Sequence, residues 1–141
     1  MAEQRAVADV LPRLSLFADL NAAQIEAVVH RFDEEVFPEG ARVLRKGLRG
    51  SGVFVILEGE AAIRVDGTEL ARFGPGEFFG EISVLTGEPP NADVEALSVL
   101  RCLQIPGSDF ERFVTEHPRV LFRMFQAEAR RLRDTTAWAT L

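Results

Sequence analysis

From residue 35 to residue 106 glycine interrupts this chain at short intervals, and that punctuation limits its fold more than any other feature. Gly40, Gly47, Gly50, Gly52, Gly59, Gly67, Gly74, Gly76, Gly80 and Gly87 separate β-branched and aromatic runs such as ARVLRK, VFVIL, AAIRV and ELARF. Short strands with turns about every 8 to 12 residues build a sandwich, barrel or roll rather than βαβ units. Asp66-Gly67, between Val65 and Thr68, carries the pattern of a two-residue hairpin turn.

Helical patterns flank this region on both sides. Asn21 followed by Gln24 forms a capping box, and behind it Ile25, Val28, Val29 and Phe32 share one apolar face. Val7, Val10 and Leu11 suggest an earlier helical turn ended near Pro12. After Gly107, Ser108 with Glu111 reads as a second capping box, ahead of Phe110, Phe113 and Val114. His117-Pro118 breaks and restarts the helix, and Leu121, Met124, Phe125 and Leu132 mark a stripe that packs on the roll or pairs with a copy of itself. The expected fold is α+β and mainly β: one domain over 1–141, with a helical 1–33, an antiparallel, jelly-roll-like β-roll over 34–106, and two C-terminal helices over 108–137.

Size and charge exclude several functions. A chain of 141 residues can bury one real core without disulfide or metal. Its net charge of −6 argues against nucleic acid as a partner. The local cluster Arg130, Arg131 and Arg133 reads as a solvated last helical turn. No apolar run approaches a membrane span, the acidic MAEQRAVADV start is no signal peptide, and the single Cys102 fits a reducing compartment. A cytoplasmic protein without membrane contact is expected.

The segment Gly74 to Ala96, GPGEFFGEISVLTGEPPNADVEA, carries the most chemistry. A helical turn begins at Gly80-Glu81-Ile82-Ser83, where glycine permits close approach and free backbone N–H groups point one way. Such amides suit phosphate, whereas the Glu81 carboxylate suits a neutral hydroxyl donor such as a ribose. The pairing fits a sugar-phosphate.

With Phe79-Gly80-Glu81-Ile82-Ser83, Leu85-Thr86-Gly87-Glu88-Pro89, Phe37-Pro38-Glu39-Gly40 and VFVILEG over 53–59, the sequence resembles the cyclic-nucleotide-binding domain family over nearly its whole length. The resemblance implies a cyclic nucleotide, cAMP or cGMP, as ligand. It implies backbone N–H groups of Gly80 and Ser83 on the phosphate, Glu81 on the ribose 2′-hydroxyl, and a site formed from Phe79, Gly80, Glu81, Ile82, Ser83, Pro90, Asn91 and Ala92.

One departure matters. Nucleotide-binding members usually continue with Arg, then Ser or Thr, then Ala; here the chain reads Pro90, Asn91, Ala92, then Asp93. Proline offers neither charge nor an N–H, and losing one partner of a buried charged pair costs about 2–5 kcal/mol. Asp93 and Glu95 worsen the potential for an anion if they face the pocket. Lys46, Arg49, Arg64, Arg72 and Arg101 are the cations available in the roll, and spacing aims none of them at the cassette.

The remaining chemistry-bearing residues form no catalytic or metal constellation. His30 reads as a surface residue, His117 as a helix boundary, Cys102 as a core strand residue and Trp138 as a docked tail. The favoured reading is a non-catalytic regulatory domain with weak or lost cyclic-nucleotide binding, acting through its closing helices, a protein partner or self-association. The alternative is a working cAMP sensor that uses a substitute cation.

Overall fold

A computed structural model describes residues 6–48 and 52–137; Arg49 and Trp138, considered above, lie outside the described residues. In chain order the elements are α1 (Val7–Val10), two 3-10 turns (Leu11–Arg13 and Ser15–Phe17), α2 (Ala22–Arg31), β1 (Asp33–Phe37), β2 (Arg42–Leu44), β3 (Gly52–Glu58), β4 (Ala61–Val65), β5 (Thr68–Phe73), β6 (Phe78–Phe79), α3 (Glu81–Thr86), β7 (Asp93–Ala96), β8 (Leu100–Pro106), α4 (Gly107–Glu116) and α5 (Pro118–Ala137). Among the described residues the strands form two antiparallel four-stranded sheets, in the orders β1-β8-β3-β6 and β2-β7-β4-β5. Asp66 and Gly67 both take positive φ, 51° and 81°, as the turn joining β4 to β5 requires.

A central place in the sheet explains why β3 is apolar from Val53 to Leu57. Val53, Val55 and Leu57 face a core shared with the helices, including Phe17, Phe78, Phe113 and Met124. Phe54 and Ile56 face the opposite way, into the roll, with Phe79, Leu100 and Cys102. One sheet thus separates two apolar cores, and period-two alternation sorts residues between them. Cys102 is a buried strand residue; burial, and then the charge of Glu35, pushes its thiol up to about 12.

The helical ends follow their sequence signals unevenly. Asn21 and Gln24 form the reciprocal capping box, each side chain bonding the other's backbone amide at 2.9 Å. His30 is exposed beside Glu26, and His117 caps the end of α4. The second capping box does not form: Pro106 occupies the cap of α4 and no side chain bonds there. Strand β8 runs directly into the helix at Gly107, which places Ser108 inside the first turn, where it no longer has the extended backbone of a cap.

The expected stripe on α5 is also displaced. Val120 and Met124 are buried and Ala127 packs beside them, whereas Leu121, Phe125 and Leu132 are exposed. The expected large residues therefore do not all pack on the roll. In this rotation Asp19 accepts two bonds from Arg123, at 2.9 and 3.1 Å, and one from Arg119 at 3.3 Å. The Arg123 bond holds the Asp19 carboxyl below its ordinary range.

Candidate functional site

The loop before α3 is fastened to β3 at several points. Gly76 N–H donates to the Ile56 carbonyl at 2.8 Å, Ile56 N–H donates to the Glu77 carbonyl at 2.9 Å, and Phe78 and Phe79 pair with Val55 and Phe54. The chain then turns at Gly80, with φ of 91°. A Cβ there would stand 2.4 Å from the Gly52 carbonyl oxygen, so only glycine brings α3 this close to β3. Gly87, at φ 74°, ends the helix, and the Ser83 hydroxyl donates to the Glu88 carbonyl. Beyond α3, Pro90 is buried, and its carbonyl accepts from Gly47 N–H at 2.9 Å.

These constraints bring Phe79, Gly80, Glu81, Ile82, Ser83, Pro90, Asn91 and Ala92 to the wall of one cavity of about 520 Å³. Leu44, Ile63, Val65, Leu70, Phe73 and Val94 complete its apolar lining from the sheet. Asp93 and Glu95 are not part of the lining; they alternate with inward Val94, and they bond Lys46 N–H at 2.7 Å and Arg64 at 2.9 Å. They therefore do not spoil the potential inside.

Of the roll cations named above, the described ones, Lys46, Arg64, Arg72 and Arg101, do not line the cavity either. Lys46 meets Asp66, Arg64 meets Glu95 and Glu69, and Arg72 meets Glu69. Arg101 is buried between Glu34 and Glu58. Among the described residues the guanidinium lining the cavity comes instead from α5, as Arg131.

Arg131 corrects the view of the C-terminal arginines as a solvated helix end. Its Nη2 donates to the Phe78 carbonyl at 2.6 Å, and Nη1 donates to Glu128 at 2.7 Å and approaches both Glu81 oxygens at 3.4 and 3.5 Å. The guanidinium also lies 4.4 and 4.3 Å from the ring centres of Phe73 and Phe78, a cation–π arrangement. The signal missed in the sequence is position: Arg131 follows Val120, Met124 and Ala127 at i+11, i+7 and i+4, on the inward face of α5.

Glu81 is the buried acid of the site. Burial raises its carboxyl to about 7, and the charge of Glu128 adds to the rise, while Arg131 and the backbone amides of residues 81 and 82 oppose it. Glu81 and Glu128 also line a second hollow of about 660 Å³ on the helical side, beside Val84, Leu121 and Phe125. Among the described residues no cluster of His, Cys, Asp and Glu could hold a metal ion, and no helix is long and apolar enough to cross a membrane.

Two antiparallel sheets closed by helices, with an inserted helical turn presenting a buried carboxylate to the interior, define a β-roll domain with an internal cavity. The chain belongs to the cyclic nucleotide-binding domain family, whose profile matches residues 34–117. A cyclic nucleotide-gated potassium channel of Mesorhizobium japonicum is 30% identical over 117 residues, covering 82% of this chain and 32% of the channel. A CRP-like cAMP-activated global transcriptional regulator of Mycobacterium tuberculosis is 25% identical, covering 90% of this chain and 59% of the regulator. The crystal structure of the catabolite activator protein of Thermus thermophilus superposes with a TM-score of 0.78 at 26% identity, over 90% of this chain and 62% of that one. The chain thus spans between about a third and three-fifths of these relatives, which are channels and transcription regulators rather than enzymes.

Proposed function

We propose that this domain is a regulatory module of the cyclic-nucleotide-binding kind in which affinity for cAMP and cGMP is weakened or lost, and that it acts through α5 on a protein partner or a second copy. The observation that carries the reading is the charge inventory of the cavity. By the family resemblance Pro90 takes the place of the phosphate-binding arginine, and Arg131, the guanidinium lining the cavity among the described residues, is engaged by Glu81, Glu128 and Phe78. A bidentate arginine is the group best suited to a cyclic phosphate, and its loss costs about 2–5 kcal/mol, or roughly 30- to several-thousand-fold in affinity. The cyclic-nucleotide-gated and cAMP-activated relatives support the ligand class, and exposed Leu121, Phe122, Phe125 and Leu132 on α5 support an interaction surface.

Isothermal titration with cAMP and cGMP tests this. Wild-type protein is expected to give dissociation constants near the millimolar range or no heat, and the double variant Pro90→Arg with Asn91→Ser is expected to bind at least about 30-fold more tightly. Micromolar binding by the wild type overturns the reading. One observation favours a second one, a cAMP sensor that uses Arg131 as substitute cation, because Arg131 does line the cavity. Under that reading Arg131→Ala abolishes a binding that the wild type shows.

A further inference from the structure

We infer that the cavity is built for an uncharged ligand with a flat apolar body and vicinal hydroxyls, a nucleoside, in preference to any cyclic nucleotide. The inference rests on the reading of the roll as a ligand site and names the ligand class that site takes.

Among the described residues, the charged side chains lining the cavity are Glu81, Glu128 and Arg131, two carboxylates against one guanidinium. Both carboxylates already use that guanidinium. At the cassette end, where a phosphate would lie, the lining consists of Ile82, Ser83, Pro90, Asn91 and Ala92, none of them charged. The Ser83 hydroxyl spends its proton on the Glu88 carbonyl. A cyclic phosphodiester is a monoanion, so it would lose its hydration and find no free cation in return. A neutral molecule avoids this cost.

The features that remain suit the rest of a nucleoside. Glu81, with a side chain 7% exposed, presents acceptor oxygens that match the donor hydroxyls of a ribose. Ile63, Val65, Leu70 and Phe73 form an apolar wall for a planar base. A volume of about 520 Å³ lies within the usual range for a small-ligand site. Losing the cassette arginine while keeping the buried glutamate removes recognition of the phosphate and leaves recognition of the sugar intact.

Saturation-transfer NMR and calorimetry on the wild-type chain test the ranking, using adenosine, guanosine, 2′-deoxyadenosine, cAMP and cGMP. A nucleoside is expected to bind at least about tenfold more tightly than its cyclic phosphate, with 2′-deoxyadenosine about tenfold weaker than adenosine. Pro90→Arg is expected to reverse the order by strengthening the cyclic nucleotides alone. The inference is overturned if cAMP binds as tightly as adenosine, if no nucleoside binds, or if the 2′-hydroxyl makes no difference. Weak cAMP binding with no nucleoside binding sinks this inference and leaves the weakened-site reading standing; micromolar cAMP with still tighter adenosine does the reverse.

Discussion

Arg131 and Glu81 stand 50 residues apart in sequence, yet the guanidinium of one comes within 3.4 Å of the carboxylate of the other across the mouth of the cavity. The contact ties the last long helix to the carboxylate that the family resemblance assigns to ribose. On the proposed reading, a ribose on Glu81 would compete with α5 for the same oxygens, and a ligand that took them would loosen the helix.

Arg131→Leu removes the bonds to Glu128 and the Phe78 carbonyl together with the approach to Glu81. Charged hydrogen bonds of this type are worth about 2 kcal/mol, and partial exposure keeps the loss near that figure. Hydrogen exchange is expected to quicken over residues 127–135 while the sheets stay protected. Uniform protection in the variant would show that packing alone holds α5.

The acidity of Glu81 gives a defined pH dependence. Its carboxyl lies at about 7 in the folded chain against an ordinary 4.5, so between these values the folded state keeps a proton that the unfolded chain has released. Its contribution to stability is complete below pH 4.5, declines as pH rises through 7, and totals on the order of 3 kcal/mol. Asp19, Glu69 and Glu116 are shifted the other way by arginine bonds, and they act below this window. Urea unfolding of wild type and Glu81→Gln from pH 4.5 to 8 should show a falling difference in favour of the wild type; a difference that does not change with pH contradicts the assignment.

Two glycines around α3 should respond differently to alanine. At Gly80 the new methyl meets the Gly52 carbonyl at 2.4 Å, and the left-handed backbone adds its own strain. A loss above about 2 kcal/mol is expected. Gly87 has φ of 74° but open space around it, so its cost stays near about 1 kcal/mol. Equal melting temperatures for the two variants would remove close approach as the reason for glycine at position 80.

Cys102 should be inert in the native state. Its thiol is buried and raised to about 12, and only the thiolate reacts with disulfide reagents. A reagent such as 5,5′-dithiobis(2-nitrobenzoate) is expected to modify it only after denaturation. Rapid labelling of folded protein would place the thiol at the surface.

What the sequence disclosed and what it withheld have a common physical basis. Asp66-Gly67 and Asn21-Gln24 encode structure through neighbours in the chain, so residue type and spacing suffice to read them, whereas the run from Phe79 to Ser83 was legible through its resemblance to the family. The rotation of α5 is not local. It carries two apolar faces one residue apart, Val120-Met124-Ala127 and Leu121-Phe125-Leu132, and periodicity alone favours the larger side chains. Contacts distant in sequence select the first face: it packs against Phe17 and Phe113 in the core, and Arg123 meets Asp19, 104 residues before it, in that orientation. Arg131 lies on that same face, so missing the rotation meant missing the cation. Ser108-Glu111 failed for a related reason: the start of α4 is dictated by the strand that delivers the chain to it.

Glu81 and Glu128 stand in a partition with a hollow on either side, one inside the roll and one beneath Leu121 and Phe125. A carboxylate drawn toward an occupant of the inner room is withdrawn from the outer one. An occupant of the inner room that drew on these carboxylates would therefore alter the acidic lining of the outer groove without touching it.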